Sequence, residues 1–322
     1  MTLPKTVSAC LMLLCAASMA HAQGYPAKPI RFISPYPPGG AVDILARYLG
    51  QHLHEAVGQP VIVENRAGGS GIVGTAAVAK APPDGYTILM GSSGPIAVNP
   101  SLFADLPYDT LRDLAPVTMV AIIPSILAVH PSIPVQSVKQ LIAFAKSHPG
   151  KLNFSSSGNG GSGHLAGEMF NVMAGVRMTH IPYRGTGPSV IGLMTGEVSL
   201  SFENMLALLP YVKEGRVRGL AVTSAKRSQA APELPTVAES GLPGYAAGPW
   251  FSIWAPANTP KDIVTTLNRE FVKILKRPDV VKRLSTDGGD VVTGTPEDLA
   301  EFTRTEIRSW ARVVKEANIK AN

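Results

Sequence analysis

The chain has 322 residues, 16% of them charged and 45% apolar, with 29 Lys and Arg against 23 Asp and Glu and a net charge of +6. The basic residues are scattered and form no stripe, which argues against a nucleic-acid partner and favours a small anionic ligand. No apolar run is long enough to cross a bilayer, the N-terminal run at 7–19 included, and the length suits about two domains.

The first 22 residues have the pattern of an export leader. Lys5 precedes an apolar run at 7–19, and Ala20-His21-Ala22 follows as a small-residue cleavage motif. The pattern predicts cleavage after Ala22 and export to the periplasm. Both cysteines, Cys10 and Cys15, fall within this leader, so we expect neither disulfides nor thiol chemistry in the exported chain.

Short apolar runs alternate with helical patterns along the rest of the chain. The predicted strands are IRFI (30–33), VIVEN (61–65), YTILMGSS (86–93), KLNFSSS (151–157), EVSLSFEN (197–204) and VRGLAVTS (217–224). The predicted helices include 161–175 and 187–196, and capping signals at Ser137, Thr259-Pro260 and Thr295-Pro296 predict three more helix starts. This alternation predicts an α/β fold with mostly parallel sheets.

Two apolar, proline-punctuated stretches, 115–131 and 244–260, do not fit a simple strand–helix unit. We interpret them as the places where the chain crosses between two lobes. Residues 23–122 and 250–322 would then form lobe 1, and residues 123–249 would form lobe 2. The hinge is expected near 120–126 and 246–252.

Glycine-rich junctions between strands and helices are the main functional signal. In SPYPPGGAVDILARYLG (34–50), two glycines lie where a helix begins, and bare backbone at a helix start lets an anion approach its unpaired amides. Similar junctions recur at 68–71, 158–163 and 185–187, and two hydroxyls, Ser92 and Ser93, end another strand. One such junction is more often a tight turn, but four of them favour an anion site at a shared sheet edge.

The motifs of other chemistries are weak or missing. The hydrolase elbow G-x-S-x-G does not occur, and Ser162 beside His164 is the one sequence-near pair for a secreted hydrolase, which stays open as an alternative. His164 could equally donate to a bound carboxylate. His52 and His54 are two residues apart on a predicted helix and point to different faces, so we expect no metal site and no cofactor.

Eight motifs resemble, in order, one known family. They are PYPPGGAVDILAR, VIVENRAGGSGIVGT, PPDGYTILMG, DLAPVTMVA, GSGHLAGE, YRGTGPSVIGLMTGEV, AVTSAKRS and LPTVAESGLPGY. The chain resembles the substrate-binding proteins of tripartite tricarboxylate transporters, often called the Bordetella uptake gene family. The resemblance implies a fold like that of periplasmic binding proteins, with two α/β lobes joined by a two-strand hinge.

The resemblance also implies a function without catalysis. A small carboxylate (a di- or tricarboxylate, an amino acid or an aromatic acid) would be captured between the lobes by a monomer and delivered to the membrane components of the transporter. A sensor that signals through a membrane partner is the other alternative. The ligand-binding residues implied are Tyr36, Pro38, Gly39, Gly40, Asp43, Ser70, Ser92, Ser93, Ser157, Gly160, Ser162, Gly163, His164, Arg184, Gly185, Thr186 and Glu203.

Two positions depart from the family's common pattern. Tyr36-Pro37 stands where a Phe or a small residue is frequent, and Glu203 stands where Asp is frequent. Glu203 has two interpretations of equal weight: a group that completes the cleft, or simply the end of a strand before Asn204, which would cap the next helix.

Overall fold

The computed structural model describes residues 24–316, so the predicted leader, with Cys10 and Cys15, lies outside the described residues. The strands are β1 (Ile30–Ser34), β2 (Val61–Asn65), β3 (Thr87–Ser92), β4 (Leu114–Ile122), β5 (Ser125–Val129), β6 (Asn153–Ser156), β7 (Thr179–Pro182), β8 (Leu200–Asn204), β9 (Arg218–Val222), β10 (Trp250–Pro256) and β11 (Asp290–Val291). The helices are α1 (Ala41–Val57), α2 (Ile72–Ala79), α3 (Asn99–Leu102), α4 (Thr110–Asp113), α5 (Val138–Ser147), α6 (Ser162–Ala174), α7 (Thr186–Thr195), α8 (Met205–Lys213), α9 (Lys261–Leu275), α10 (Pro278–Thr286) and α11 (Pro296–Glu316).

The strands form two sheets, each flanked by helices. The six-stranded sheet has the order β11-β4-β10-β3-β1-β2, and the five-stranded sheet has the order β7-β6-β8-β5-β9. The chain passes from the first sheet to the second between β4 and β5 and returns between β9 and β10. The α/β fold class predicted from the sequence is confirmed. The lobe boundaries and the hinge stay predictions.

The prediction of mostly parallel sheets is wrong, because both sheets are mixed. β1 is parallel to β2 and β3, and β6 is parallel to β7 and β8, but β10 and β5 are antiparallel to both of their neighbours. Ser125 at the start of β5 pairs with Asn204 at the end of β8. A strand that arrives from the other sheet therefore begins at the edge where the parallel strands end, and so it runs the opposite way.

The helices bury apolar faces against the sheets. On α1 the buried residues Leu45, Leu49 and Leu53 recur at the helical period, and they belong to the same core as Phe32 of β1 and Phe271 of α9. The aromatic pair at 5.9 Å between Phe32 and Phe271 joins the strand to the C-terminal part of the chain. This packing holds the start of α1 at the carboxyl end of β1.

Two of the three predicted helix starts are confirmed. The Ser137 hydroxyl accepts from the Gln140 amide at 3.2 Å, and the Thr295 hydroxyl accepts from the Asp298 amide at 3.1 Å. The third differs by one residue, because Pro260 occupies the capping position of α9. The Thr259 hydroxyl instead donates to the Pro256 carbonyl at 2.7 Å, closing the turn that precedes the helix.

Candidate anion-binding site between the two sheets

A small cavity of about 30 Å³ lies where the ends of β3 and β8 and the starts of α1, α6 and α7 meet. We call it the inner cavity. Its lining contains hydroxyl, amide and small groups and no charged side chain. The lining residues are Tyr36, Gly40, Ala41, Val42, Ser92, Ser93, Gly94, Ser157, Ser162, Thr186, Asn204, Pro249 and Phe251.

Three helices begin at the inner cavity, and all three are capped by glycine. The capping residues are Gly40 for α1, Gly161 for α6 and Gly185 for α7, and none of these helices has a side-chain cap. The first-turn amides of a helix have no partner within the helix and carry its positive end. Glycine at the capping position therefore leaves three sets of amides available to an anion.

Asp43 holds the loop before α1 in place. It is 4% exposed, and its carboxylate accepts from the Gly39 amide at 3.1 Å, from Arg47 Nε at 3.0 Å and from Asn65 Nδ2 at 2.8 Å. Burial acts to raise the pKa of Asp43, but these hydrogen bonds outweigh it and keep the pKa below its usual value. Asn65 also donates to the Tyr36 carbonyl at 3.0 Å, so one network fixes both ends of the loop.

Three residues predicted to bind the ligand, Pro38, Gly39 and Asp43, lie outside the inner cavity, and their contact with a ligand stays a prediction. The Gly39 amide is already bonded to Asp43, and Pro38 and Gly39 are exposed outside the inner cavity. Asp43 is occupied by its own network and positions the loop instead of lining the cavity. The first turn of α1, which begins with Ala41 and Val42, supplies the lining there.

His164 lies beneath the second-sheet loop and does not line the inner cavity. It is 5% exposed, its Nδ1 accepts from the Gly160 amide at 3.1 Å, and its ring stacks on His180 at 4.0 Å. Burial lowers the pKa of His164 to about 4, and burial together with the neighbouring His164 lowers that of His180 to about 3. In this structure His164 supports the loop at Gly160, and its contact with a ligand stays a prediction.

Gly160 and Gly163 have packing roles in this structure. Gly160 has a φ of +75°, and a Cβ there would lie 2.7 Å from Asn99 Oδ1. At Gly163 a Cβ would lie 2.3 Å from the Phe202 carbonyl oxygen, because the first turn of α6 presses directly on β8. Neither residue lines the inner cavity.

A second, wider cavity of about 670 Å³ opens beside the first and shares Tyr36 and Ser157 with it. We call it the outer cavity. Arg184 is the one charged residue of its lining, and in residues 24–316 its side chain makes no hydrogen bond or ion pair. Its other lining residues are Pro37, Ala67, Gly68, Gly69, Ser70, Gly71, Phe103, Gly158, Asn159, Pro182, Tyr183 and Gly185.

Glu203 lies behind the inner cavity and is 2% exposed. Asn204 caps α8 as expected, since its Oδ1 accepts from the Ala207 amide at 3.1 Å. Asn204 also lines the inner cavity, whereas Glu203 does not. The capping interpretation is confirmed for Asn204, and whether Glu203 completes the cleft stays a prediction.

The structure thus brings most of the predicted residues together and leaves some aside. The inner cavity receives Tyr36, Gly40, Ser92, Ser93, Ser157, Ser162 and Thr186, and the outer cavity receives Ser70, Arg184 and Gly185. Whether they bind a ligand stays a prediction. Sequence reasoning missed Phe251 and Pro249, although both belong to a stretch recognised as a crossing between lobes.

Two searches of the described residues had negative results. No group of three or more His, Cys, Asp or Glu side chains within residues 24–316 is arranged to hold a metal ion. Over the same part of the chain, no helix combines the length and the apolar character that a membrane span requires.

Comparisons with known proteins agree on one family. The profile of the tripartite tricarboxylate transporter family receptor matches residues 45–319. Protein BugT of Bordetella pertussis is 42% identical over 305 residues, which cover 94% of each chain. The solved structure described as R. palustris Rpa4515 with adipate is 38% identical, with a TM-score of 0.90 over 92% of this chain and 99% of that one. MatC from Rhodopseudomonas palustris, solved with bound malate, is 30% identical, with a TM-score of 0.86 over 90% of this chain and 100% of that one.

Proposed function

This chain belongs to the tripartite tricarboxylate transporter family of receptors, and we propose that it captures a small carboxylate between its two sheets and delivers it to transporter components in the membrane. The family and the fold are those of solute-binding proteins. We place the protein in the periplasm, after loss of residues 1–22, as a monomer. The convergence of three glycine-capped helix starts on one cavity carries the proposal.

An anion can be held in the inner cavity without a cation. Hydrogen bonds to a charged group contribute about 1.5–3 kcal/mol each, and a micromolar site needs about −8 kcal/mol after the costs of association. Five or six donors suffice on that scale. The hydroxyls of Ser92, Ser93 and Ser162, together with the first amides of α1 and α7, form a set of about that size.

Arg184 favours a ligand with a second negative group. It is exposed in the outer cavity, next to the inner cavity, and no acidic residue lines either cavity. A carboxylate in the inner cavity would leave the rest of the ligand in the outer one, where the guanidinium can pair with a distal carboxylate. The relatives solved with adipate and malate both hold dicarboxylates, which supports the same class for this chain.

Calorimetry with adipate, malate and the monocarboxylate hexanoate tests the proposal. We expect Arg184→Ala to weaken adipate binding by about tenfold and to leave hexanoate binding unchanged, because only the distal contact is lost. Arg177→Ala, which removes an exposed arginine outside both cavities, is the matched control. If no carboxylate binds, the proposed function fails. If Arg184→Ala weakens both ligands equally, the dicarboxylate assignment fails.

The hydrolase alternative has no supporting geometry. His164 is occupied by the Gly160 amide and by His180, and within the described part of the chain no hydrogen bond joins it to Ser162. The wild type should therefore hydrolyse an ester such as p-nitrophenyl acetate no faster than the Ser162→Ala variant does. Uptake of labelled adipate by cells with and without the protein separates transport from sensing.

A further inference from the structure

Glu203 is a buried acid with no cation beside it. It ends β8, is 2% exposed and, among residues 24–316, takes part in no ion pair. Its Oε1 atom has no hydrogen-bond partner there. A carboxylate buried in this way would lose its hydration without compensation, which is costly enough that the group keeps its proton instead.

The groups around the Glu203 carboxyl are neutral hydroxyls. The Ser189 and Ser155 hydroxyls are hydrogen-bonded to each other at 2.8 Å. Neither supplies the positive charge that would hold a buried carboxylate ionised. Burial raises the pKa of Glu203 to about 8, although hydrogen bonds with the Ser189 and Thr186 hydroxyls and with the Asn204 backbone act to lower it.

Thr186 connects Glu203 to the inner cavity. Its side chain interacts with Glu203 on one side and lines the cavity on the other, facing Gly40. A hydroxyl has a single hydrogen, so it can donate to only one of two neighbours. If Glu203 holds its proton, the Thr186 hydroxyl can accept from it and donate to an anion. If Glu203 is ionised, the hydroxyl turns to it and presents lone pairs to the cavity.

The surroundings of Glu203 contain few other groups that titrate. β5, β6 and α7 contain no ionisable side chain. Tyr36, which lines the inner cavity, is electrostatically coupled to Glu203, and burial raises its pKa to about 12. The other ionisable residues on elements packed against β8 are His164 and Glu168 on α6 and Tyr211 and Lys213 on α8.

We propose that Glu203 is a proton-holding residue that sets the Thr186 hydroxyl as a donor to the bound anion, so that ionisation of Glu203 weakens ligand binding. The proposal rests on the proposed function and adds its regulation by pH. Binding of a carboxylate at alkaline pH is then accompanied by uptake of one proton onto Glu203. Glu203 acts through Thr186 and is a positioning residue.

Calorimetry with adipate at about pH 7 and pH 9 tests this inference. For the wild type we expect the dissociation constant to be about tenfold higher at pH 9, where about a tenth of the free protein keeps the proton. Glu203→Gln keeps a donor and cannot ionise, so its ratio should be near one. Glu168→Gln, which changes an acid outside both cavities, should keep the wild-type ratio. If Glu203→Gln shows the same ratio of dissociation constants as the wild type, the inference is overturned.

A second measurement uses the wild type alone. Binding enthalpies at about pH 8.5 in two buffers with different ionisation enthalpies report the protons taken up, and uptake near zero overturns the inference. If adipate does not bind at either pH, the proposed function fails. An infrared titration of the free protein then decides the state of Glu203: a protonated carboxyl band at about pH 7 that is missing from Glu203→Gln supports the inference, and its absence overturns it.

Discussion

At the scale of single residues, Asp43 controls the shape of the first loop. Its carboxylate joins the loop amide of Gly39 to Arg47 on α1 and Asn65 at the end of β2. The pair with Arg47 is half exposed on the arginine side, so the hydrogen bonds from Gly39 and Asn65 to the buried Asp43 carboxylate give the network most of its strength. A carboxylate that positions a loop can thus affect binding without contacting a ligand.

We predict that Asp43→Ala lowers the free energy of unfolding by about 2 kcal/mol, because the Gly39 amide and the Asn65 side chain lose a charged acceptor that is itself buried. Adipate binding should weaken by about tenfold, since the start of α1 is no longer fixed. Urea unfolding and calorimetry measure the two effects. Glu301→Ala, which removes an exposed ion pair with Arg304, is the control and should change neither. Equal unfolding midpoints for Asp43→Ala and the wild type would contradict this role.

At the scale of secondary-structure elements, the inner cavity depends on how closely α6 lies on β8. Gly163 in the first turn of α6 permits this approach, because a Cβ there would lie 2.3 Å from the backbone oxygen of Phe202.

We predict that Gly163→Ala lowers the free energy of unfolding by about 1–3 kcal/mol, as expected for overpacking. Gly50→Ala within α1, whose Cβ would meet Val61 and Val63 at an ordinary 3.4 Å, is the control. It should be neutral or stabilising in urea unfolding, since alanine favours a helix. Similar losses in both variants would show that the approach at Gly163 is unimportant.

The elements themselves were largely predictable from the sequence, whereas their directions and contacts were not. The strands at 61–65 and 200–204 are predicted from the sequence, the second with an earlier start at 197, because strand periodicity and flanking glycines are local signals. The direction of β10 depends on which edge the chain enters, and that is set by the whole topology. Likewise, Asp43 and His164 carry the right chemistry for an anion site, but their partners Asn65 and His180 come from other elements.

At the scale of the whole molecule, the loops of the two sheets touch through glycines. A Cβ on Gly94 would lie 3.2 Å from the Gly160 carbonyl, and one on Gly185 would lie 2.8 Å from Pro37. Val98, Leu165 and Val314 form an apolar cluster from the π-helical turn at 94–98, α6 and α11. These contacts fit a hinged protein that closes over its ligand, with the hinge predicted near 120–126 and 246–252.

Closure can be tested by blocking the contact at Gly94, and because Gly94 also lines the inner cavity, compaction and not affinity alone decides the test. We predict that Gly94→Ala weakens adipate binding by about tenfold, because the added methyl keeps the Gly160 loop from approaching. Small-angle scattering should show the radius of gyration of the wild type falling when adipate is added, and falling less for the variant. Gly187→Ala is the control, because it also adds a methyl where the loops of the two sheets meet, but this Cβ would lie at an ordinary 3.6 Å from the Pro38 carbonyl. Urea unfolding should be unchanged in both variants, because neither added methyl would meet a buried apolar side chain. Adipate binding without any compaction of the wild type would contradict closure, and the Gly94 contact would then be a fixed feature of the fold.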